Sequence, residues 1–139
     1  MSIYSDTFTL ETGGETDIID ITDHIESILD KSTLNNGTAT VFVGGSTAGI
    51  TTIEFEAGLL QDLREAYERV APRNGYYAHN ERWGDGNGFA HVRASMTRQD
   101  MSIPFISRKL ILGTWQQIIL VDFDNRPRSR EITVQIVGD

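Results

Sequence analysis

Side chains able to do chemistry gather in one short stretch of the chain, Y-Y-A-H-N-E-R-W-G-D-G-N-G-F-A-H-V-R-A-S. It holds two of the three histidines, His79 and His91, with Asp85 and Asn87 between them and Arg93 after them. Two imidazoles and a carboxylate can bind a divalent ion such as zinc or magnesium, so His79, His91 and Asp85 are candidate metal ligands. The same stretch supplies groups that can move protons, orient a histidine or bind a polar substrate. The catalytic candidates are Asp85, Asn87, His91 and Arg93.

Glycines punctuate the loop between the two histidines, W-G-D-G-N-G. Glycine lets the backbone come close to a ligand, which favours a functional loop. Asp-Gly and Asn-Gly pairs are also ordinary turn formers. The twelve-residue spacing of the histidines matches no established ligand motif. A functional loop and a plain turn therefore both stay open.

A second loop, G-G-S-T-A-G-I-T-T (44–52), follows a predicted strand. Its backbone amides and the hydroxyls of Ser46 and Thr47 could cradle a phosphate group, as anion-binding nests do. It is not a P-loop, because it lacks the lysine and leads into an extended segment instead of a helix. The alternative interpretation is a bend between two strands.

Two further motifs carry side chains that can contact a ligand. In L-G-T-W-Q, Trp115 and Gln116 can line a pocket, or Trp115 can pack in the core. In R-P-R-S-R, Arg126 and Arg128 can pair with phosphate or carboxylate, or belong to a solvated turn or a salt bridge between subunits. The predicted ligand-binding residues are Ser46, Thr47, Trp115 and Gln116.

Hydrophobic periodicity predicts an α+β fold with a largely antiparallel sheet system and two main helices, because short strands follow one another through tight turns. The helices are predicted around 21–29 and over 58–70. Strands are predicted over 3–10, 38–43, 50–55, 89–97, 101–106, 109–112, 115–123 and 130–137. Strand alternation over 89–97 sends Val92, Ala94 and Met96 to the core. It leaves His91 and Arg93 together on the opposite face.

Composition limits the class of protein. The 139 residues fit one domain, 1–139, and the absence of cysteine excludes disulfides and thiolate metal sites. The net charge of −8 argues against nucleic-acid binding, since phosphate would be repelled. No apolar run approaches the length of a membrane span, and the first residues carry no basic, apolar leader. We therefore expect a cytoplasmic protein that binds neither nucleic acid nor membrane.

Two motifs together resemble the YjbQ family, whose members are often labelled secondary thiamine-phosphate synthase enzymes. They are G-D-G-N-G-F-A-H-V-R-A-S and L-G-T-W-Q-Q-I-I-L-V-D-F-D-N-R-P-R-S-R. The resemblance extends over nearly the whole chain. It implies an α+β homotrimer with polar motif residues lining pockets near subunit boundaries, and in some members a divalent metal held by histidines. Carried over, the site comprises His79, Asp85, Asn87, His91, Arg93, Ser46 and Thr47, with Trp115 and Gln116 nearby.

The chain departs from its relatives at two site positions. Gly45 stands where many relatives carry histidine, so a site of three histidines would be reduced to two plus Asp85 or water. Arg93 stands where many relatives have lysine, which keeps the charge but replaces a point charge with a planar fork.

Three functions use these same side chains. The first is a thiamine-phosphate-synthase-like transferase acting on a small phosphorylated substrate with divalent-metal assistance. The second is a metal-dependent hydrolase, and the third is a non-enzymatic trimer that binds a metal or ligand. The motif residues do not discriminate among the three.

Overall fold

The computed structural model describes residues 1–139, which form eight β-strands and four α-helices. The strands are β1 (Ser2–Thr12), β2 (Asp17–Asp20), β3 (Gly37–Val43), β4 (Ala48–Ile53), β5 (Asp100–Ile106), β6 (Lys109–Leu110), β7 (Gln117–Asp122) and β8 (Arg128–Gly138). The helices are α1 (Thr22–Ser32), α2 (Ala57–Val70), α3 (Ala78–Trp83) and α4 (Gly88–Thr97). The predicted α+β class is confirmed, with four helices in place of two main ones.

The strands form two sheets in which every pairing is antiparallel, as predicted. One sheet has five strands in the order β1-β8-β3-β5-β6, and the other has three in the order β2-β7-β4. In the long β1–β8 ladder, Ser2 lies opposite Gly138 and Thr12 opposite Arg128. This ladder brings the start of β8 next to the end of β1, beside the candidate site.

Strand β7 lies between two hydrophobic cores. Ile118 and Leu120 join the core between the two sheets and α1, whereas Ile119 and Val121 join a second core against α2 and α4. Alternate side chains of a strand point to opposite faces, so a strand buried on both faces needs an uninterrupted apolar run. The sequence I-I-L-V supplies that run, and β7 thereby connects the sheets to the helices.

The strand predicted over 89–97 is wrong, because these residues form α4. The buried positions of the helix include Phe89, Ala90, Arg93 and Ala94, a spacing typical of one helical face. A charged residue at a core-facing position hides this period from a hydrophobicity pattern. Met96, which the strand prediction sends to the core, is 62% exposed.

Other predicted bounds shift by a few residues. The strand predicted over 115–123 begins at Gln117, because a turn precedes it in which the Gln116 N–H donates to the Gly113 carbonyl at 3.0 Å. The strand predicted over 109–112 shortens to β6. The sequence pattern does not predict β2 or α3, since elements of 4 and 6 residues are too short to show a period. None of the helices is long and apolar enough to cross a membrane.

Candidate functional site

His79 and His91 meet because two short helices join through a tight glycine loop. α3 ends at Gly84, whose φ of 70° is left-handed, and Gly86 has a second left-handed φ of 69°. Glycine adopts these angles without steric cost, so the chain can turn sharply into α4. The centroids of the two imidazole rings lie 4.3 Å apart, with the ring planes tilted by 48°. The structure thus brings together two histidines that are twelve residues apart in the sequence.

The carboxylate of Asp85 lies beside this histidine pair. Its Oδ1 is 3.4 Å from His79 Nε2, and the Asp85 side chain is 47% exposed. The loop that carries it is fixed at its other side, where the Asn125 amide donates to the Asp85 carbonyl oxygen at 2.8 Å. The carboxylate is therefore held near the imidazoles while remaining open to a ligand.

The side-chain amide of Asn87 lies between two carboxylates, those of Asp85 and Asp124. With its nitrogen toward Asp85, the amide donates to both carboxylate oxygens, at 3.0 and 3.2 Å, and to His79 Nε2 at 3.1 Å. With its nitrogen toward Asp124, it donates to Oδ1 at 3.3 Å and accepts from His79 Nε2–H at 3.1 Å. The amide can therefore serve either tautomer of His79.

A buried network of acidic and basic side chains lies behind the histidines. Asp122 and Asp124 are fully buried, and Arg130 is 4% exposed. Arg130 forms a two-pronged ion pair with Asp122, with nitrogen–oxygen distances of 2.8 and 2.9 Å. Arg128 pairs with Asp124. Two positive and two negative charges compensate each other, as charges in a protein interior require.

Thr47 connects the two ion pairs. Its hydroxyl donates to Asp124 Oδ2 at 3.0 Å and accepts from Arg130 Nη2 at 2.7 Å. Because this buried hydroxyl already has both partners, it is not free to bind a phosphate. Ser46, the neighbouring predicted residue, is exposed.

The environment of Asp124 keeps its carboxyl ionised. Burial by itself raises the pKa of this group, but the Asn125 backbone N–H and the Asn87 amide donate to it and lower the pKa. The Thr47 hydroxyl and the Arg128 charge lower the pKa further. The net pKa lies below the ordinary value of 3.8, so the network carries this negative charge at neutral pH.

His91 favours the neutral form. Burial lowers the pKa of its imidazole below 6.5, and the neighbouring His79 lowers it further. The charges of Asp85 and Asp124 raise the pKa but do not reverse the shift. Neutral imidazole is the form that binds a metal ion or accepts a proton.

Arg93 points away from the histidines. Its guanidinium donates to the Ala71 carbonyl at 2.9 Å, to the Thr16 hydroxyl at 2.9 Å and to Glu68 at 2.7 Å. Two residues along a helix turn through about 200°, so Arg93 and His91 lie on opposite faces of α4. The structure therefore does not bring Arg93 into the histidine cluster, and its side chain joins α4 to the end of α2.

Trp115 and Gln116 lie at the opposite end of β7 from the histidine cluster. The strand runs from Gln117 to Asp122, and at about 3.3 Å per residue its ends are about 16 Å apart. Trp115 is 69% exposed, so the interpretation that it packs in the core is wrong. It lines a surface depression of about 370 Å³ together with Glu54 and Phe55, among others. Within one chain this motif does not reach the histidines.

The donor set of His79, His91 and Asp85 suits a transition-metal ion. Two ligands of a tetrahedral ion with bonds of about 2.0–2.1 Å lie about 3.3 Å apart. The 3.4 Å between His79 Nε2 and Asp85 Oδ1 is close to that separation. No three histidine, aspartate or glutamate side chains are arranged around a common point, so the three side chains would have to move together to hold an ion. Imidazole nitrogens suit zinc better than magnesium, which prefers oxygen ligands.

The roles of Asp122, Asp124 and Arg130 are not predicted from the motifs. Their signal lies in V-D-F-D-N-R-P-R-S-R, where aspartates interrupt an apolar strand and arginines follow. Charges within a buried run need partners of opposite sign, which the next residues can supply. Arg128 does pair with a carboxylate, one of its predicted partners, and that carboxylate belongs to Asp124.

Known proteins resemble this chain over nearly its whole length. The family model described as UPF0047 protein YjbQ-like matches residues 6–139. A UPF0047 protein of Methanothermobacter thermautotrophicus is 34% identical over 99% of this chain and 94% of its own length. The UPF0047 protein YugU of Bacillus subtilis is 30% identical over 95% of this chain and 98% of its own length.

Solved protein structures also resemble this chain. A crystal structure from Sulfolobus solfataricus, of a protein described as YbjQ-like and of unknown function, matches with a TM-score of 0.94. The two sequences are 35% identical and the match covers 99% of each chain. An uncharacterised YjbQ/UPF0047 protein from Clostridium acetobutylicum matches with a TM-score of 0.87 and 34% identity, over 95% of this chain and 99% of the other. This chain therefore belongs to the YjbQ-like UPF0047 family.

Proposed function

We propose that this protein binds a divalent metal ion between His79, His91 and Asp85 and uses it to act on a small phosphorylated substrate. The observation that carries the proposal is the position of His79, whose ring centroid lies 4.3 Å from that of His91 and whose Nε2 lies 3.4 Å from an oxygen of the partly exposed Asp85 carboxylate. The lowered pKa of His91 supports it, because the neutral imidazole competes less with a proton for the metal.

The bound ion would supply charge neutralisation for phosphate oxygens. The protein's own residues orient its ligands. Asn87 contacts His79 Nε2 and is itself held by the buried Asp124. An ion bound at Nε2 would take the place of the Asn87 contact, because one ring nitrogen has a single lone pair.

Among reactions on phosphorylated substrates, we propose the transfer that the family resemblance implies. A pyrimidine methyl diphosphate would be joined to a thiazole phosphate, with the bond from carbon to diphosphate oxygen broken and pyrophosphate released. Asp85 or His91 would orient the reacting groups or move protons when it is not bound to the ion. The metal-dependent hydrolase remains the second candidate, since a histidine and carboxylate set also suits an activated water.

Assembly as a homotrimer is part of the same proposal. Trp115 and Gln116 lie too far from the histidines to serve a site within one chain, and Trp115 is 69% exposed. A neighbouring copy would allow the two motifs to meet across a subunit boundary. That arrangement would bury the Trp115 side chain, which has no place in the core of one chain.

The proposal is tested first by metal content. Purified protein is treated with chelator, offered zinc, manganese or magnesium, and analysed for bound metal by elemental analysis and calorimetry. We expect one equivalent per chain in the wild type and loss of binding in His79→Ala and His91→Ala.

The third histidine gives a matched control. His24 lies on α1, where its ring stacks on Phe8 at 4.4 Å, outside the cluster. His24→Ala should bind metal as the wild type does. Wild-type protein that takes up none of the three ions, or variants that all bind equally, would exclude the proposed metal site.

The reaction is tested with the metal-loaded protein. Release of pyrophosphate from the two named substrates together, but not from either alone, supports the transferase. Release of phosphate from a single phosphorylated substrate supports the hydrolase instead. Metal binding without turnover in a broad screen of phosphorylated compounds would leave the non-enzymatic binding protein.

A further inference from the structure

Arg130 has one guanidinium nitrogen that the protein does not use. Its Nε and Nη2 donate to Asp122 and Thr47, whereas Nη1 forms no hydrogen bond. Every side-chain nitrogen or oxygen that is sealed from solvent has a partner. Nη1 must therefore reach the surface, although Arg130 as a whole is 4% exposed. A nearly buried cation thus keeps a free pair of N–H donors.

Nη1 comes to the surface beneath Gly45. A Cβ atom at this position would lie 2.7 Å from Nη1, closer than a side-chain contact allows. Gly45 does not have a left-handed φ, so its backbone conformation does not require glycine. Arg130 cannot easily move aside, because Asp122 and Thr47 hold the other nitrogens. The missing side chain therefore keeps an opening above the guanidinium.

The rim of this opening offers further donors. Gly45 and Ser46 are exposed, and the backbone N–H of neither is used by the rest of the backbone. A guanidinium edge beside free backbone N–H groups is the donor set that binds an oxyanion. Arg93, the arginine among the catalytic candidates, is occupied by Glu68, Thr16 and a carbonyl oxygen.

We propose that the Gly45 opening is an oxyanion subsite in which Arg130 Nη1 binds the phosphoryl group of the substrate. The identity of the substrate rests on the proposed function, but the subsite uses none of the proposed metal ligands. Hydrogen bonds connect the two places through a continuous series of side chains: Arg130, Thr47, Asp124, Asn87 and His79. The charges of Arg128 and Arg130 are already matched by two aspartates, so recognition depends on hydrogen-bond geometry more than on net charge.

The test is a titration of metal-free protein with inorganic phosphate, followed through backbone amide NMR shifts. In the wild type we expect saturable shifts at Gly45 and Ser46. Gly45→Ala should bind at least tenfold more weakly, because its Cβ must displace Nη1. Gly44→Ala is the matched control, since a Cβ there meets only a Phe42 ring carbon at 3.9 Å. It should bind phosphate as the wild type does.

Other outcomes would overturn the subsite. They are the absence of saturable shifts in the wild type, shifts confined to other parts of the chain, and equal affinity in all three proteins. If Gly45→Ala fails to fold, the wild-type shift map alone decides, through the presence or absence of shifts at Gly45 and Ser46. Because no metal is present, phosphate binding can fail while metal uptake by His79 and His91 succeeds, and the reverse.

Discussion

Asn87 joins the exposed and the buried halves of the candidate site. Its amide touches His79 and Asp85 on one side and the fully buried Asp124 on the other. A side chain with one donor end and one acceptor end transmits the state of one neighbour to the other, because it can satisfy only one arrangement at a time. The hydrogen bonding of His79 is thereby coupled to a group that solvent does not reach.

The His91 imidazole should titrate below its ordinary pKa of 6.5 in metal-free protein, because burial and the adjacent His79 both disfavour its charged form. The unfolded chain then binds more protons than the folded chain between the two pKa values. Above about pH 6.5 His91 is neutral in both states and does not lower the free energy of unfolding. As the pH falls from the unfolded to the folded pKa of His91, the free energy of unfolding decreases. Histidine ring NMR signals, followed with pH, measure the pKa.

His79→Gln isolates part of this effect. The variant removes the neighbouring charge but leaves the burial of His91, so the pKa of His91 should rise only part of the way toward its ordinary value. A pKa of His91 at or above 6.5 in the wild type would contradict the environment described for it.

Replacing the buried Asp124 should destabilise the protein strongly. Asp124→Asn leaves Arg128, which is one-third exposed, without its charged partner, and the loss of a hydrogen bond between charged groups costs about 1.5–3 kcal/mol. Urea unfolding at pH 7 measures the change in the free energy of unfolding. Asp100→Asn is the control, because its pair with Arg98 is exposed and such pairs contribute about 0–1 kcal/mol. Similar losses in both variants would contradict the importance of the buried network.

The Asp124 carboxyl should also make the free energy of unfolding decrease at acidic pH. Its folded pKa lies below 3.8, so its stabilising effect is present above the unfolded pKa and is lost as the pH falls through the folded pKa. Unfolding curves of the wild type collected from pH 6 to pH 2 should show this loss. Asp124→Asn should lack that part of the pH dependence.

At the scale of elements, α4 is the segment whose sequence pattern predicts the wrong structure, a strand in place of a helix. Its inner face includes Phe89, Ala90 and Ala94, but the fourth core-facing position is Arg93, whose guanidinium finds three acceptors inside the fold. Patterns based on hydrophobicity assume that charged residues face solvent. They fail where tertiary contacts satisfy a charge, because those acceptors come from distant parts of the chain.

Arg93→Lys tests whether this residue serves the fold or a ligand. A lysine cannot reach all three acceptors, and hydrogen bonds of charged groups contribute about 1.5–3 kcal/mol each. We expect a clear loss in the free energy of unfolding, together with unchanged metal uptake per folded chain. Reduced metal uptake in protein that remains as stable as the wild type would instead assign Arg93 to the site.

The strands and the longer helices are predictable because their periods are clean, whereas the buried network is not. The proximity of His79, Asp85 and His91 follows from a short glycine loop, a local feature that the sequence displays. Asp122 and Arg130 are eight residues apart, at the end of β7 in one sheet and in β8 of the other, so the local sequence shows which charges need partners. Which arginine pairs with which aspartate depends on how the chain turns between the two sheets, and no local spacing predicts that choice.

At the scale of the whole molecule, the proposed homotrimer places the L-G-T-W-Q motif against a neighbouring subunit. Light scattering should report a mass of three 15.5 kDa chains. Trp115→Ala removes a large side chain that is 69% exposed in one chain, so it should shift the mass toward that of a single chain. A monomeric wild type, or a trimer unaffected by this substitution, would contradict the assignment of Trp115 to a subunit boundary.

Strand β7 faces an apolar core on each side, and this restricts how the chain can change. Along most strands every second position tolerates substitution, because it meets only water. From Ile118 to Val121 no such position exists, since each side chain fills one core or the other. A deep mutational scan should find that these four positions tolerate the fewest substitutions. The segment should also vary least among related sequences.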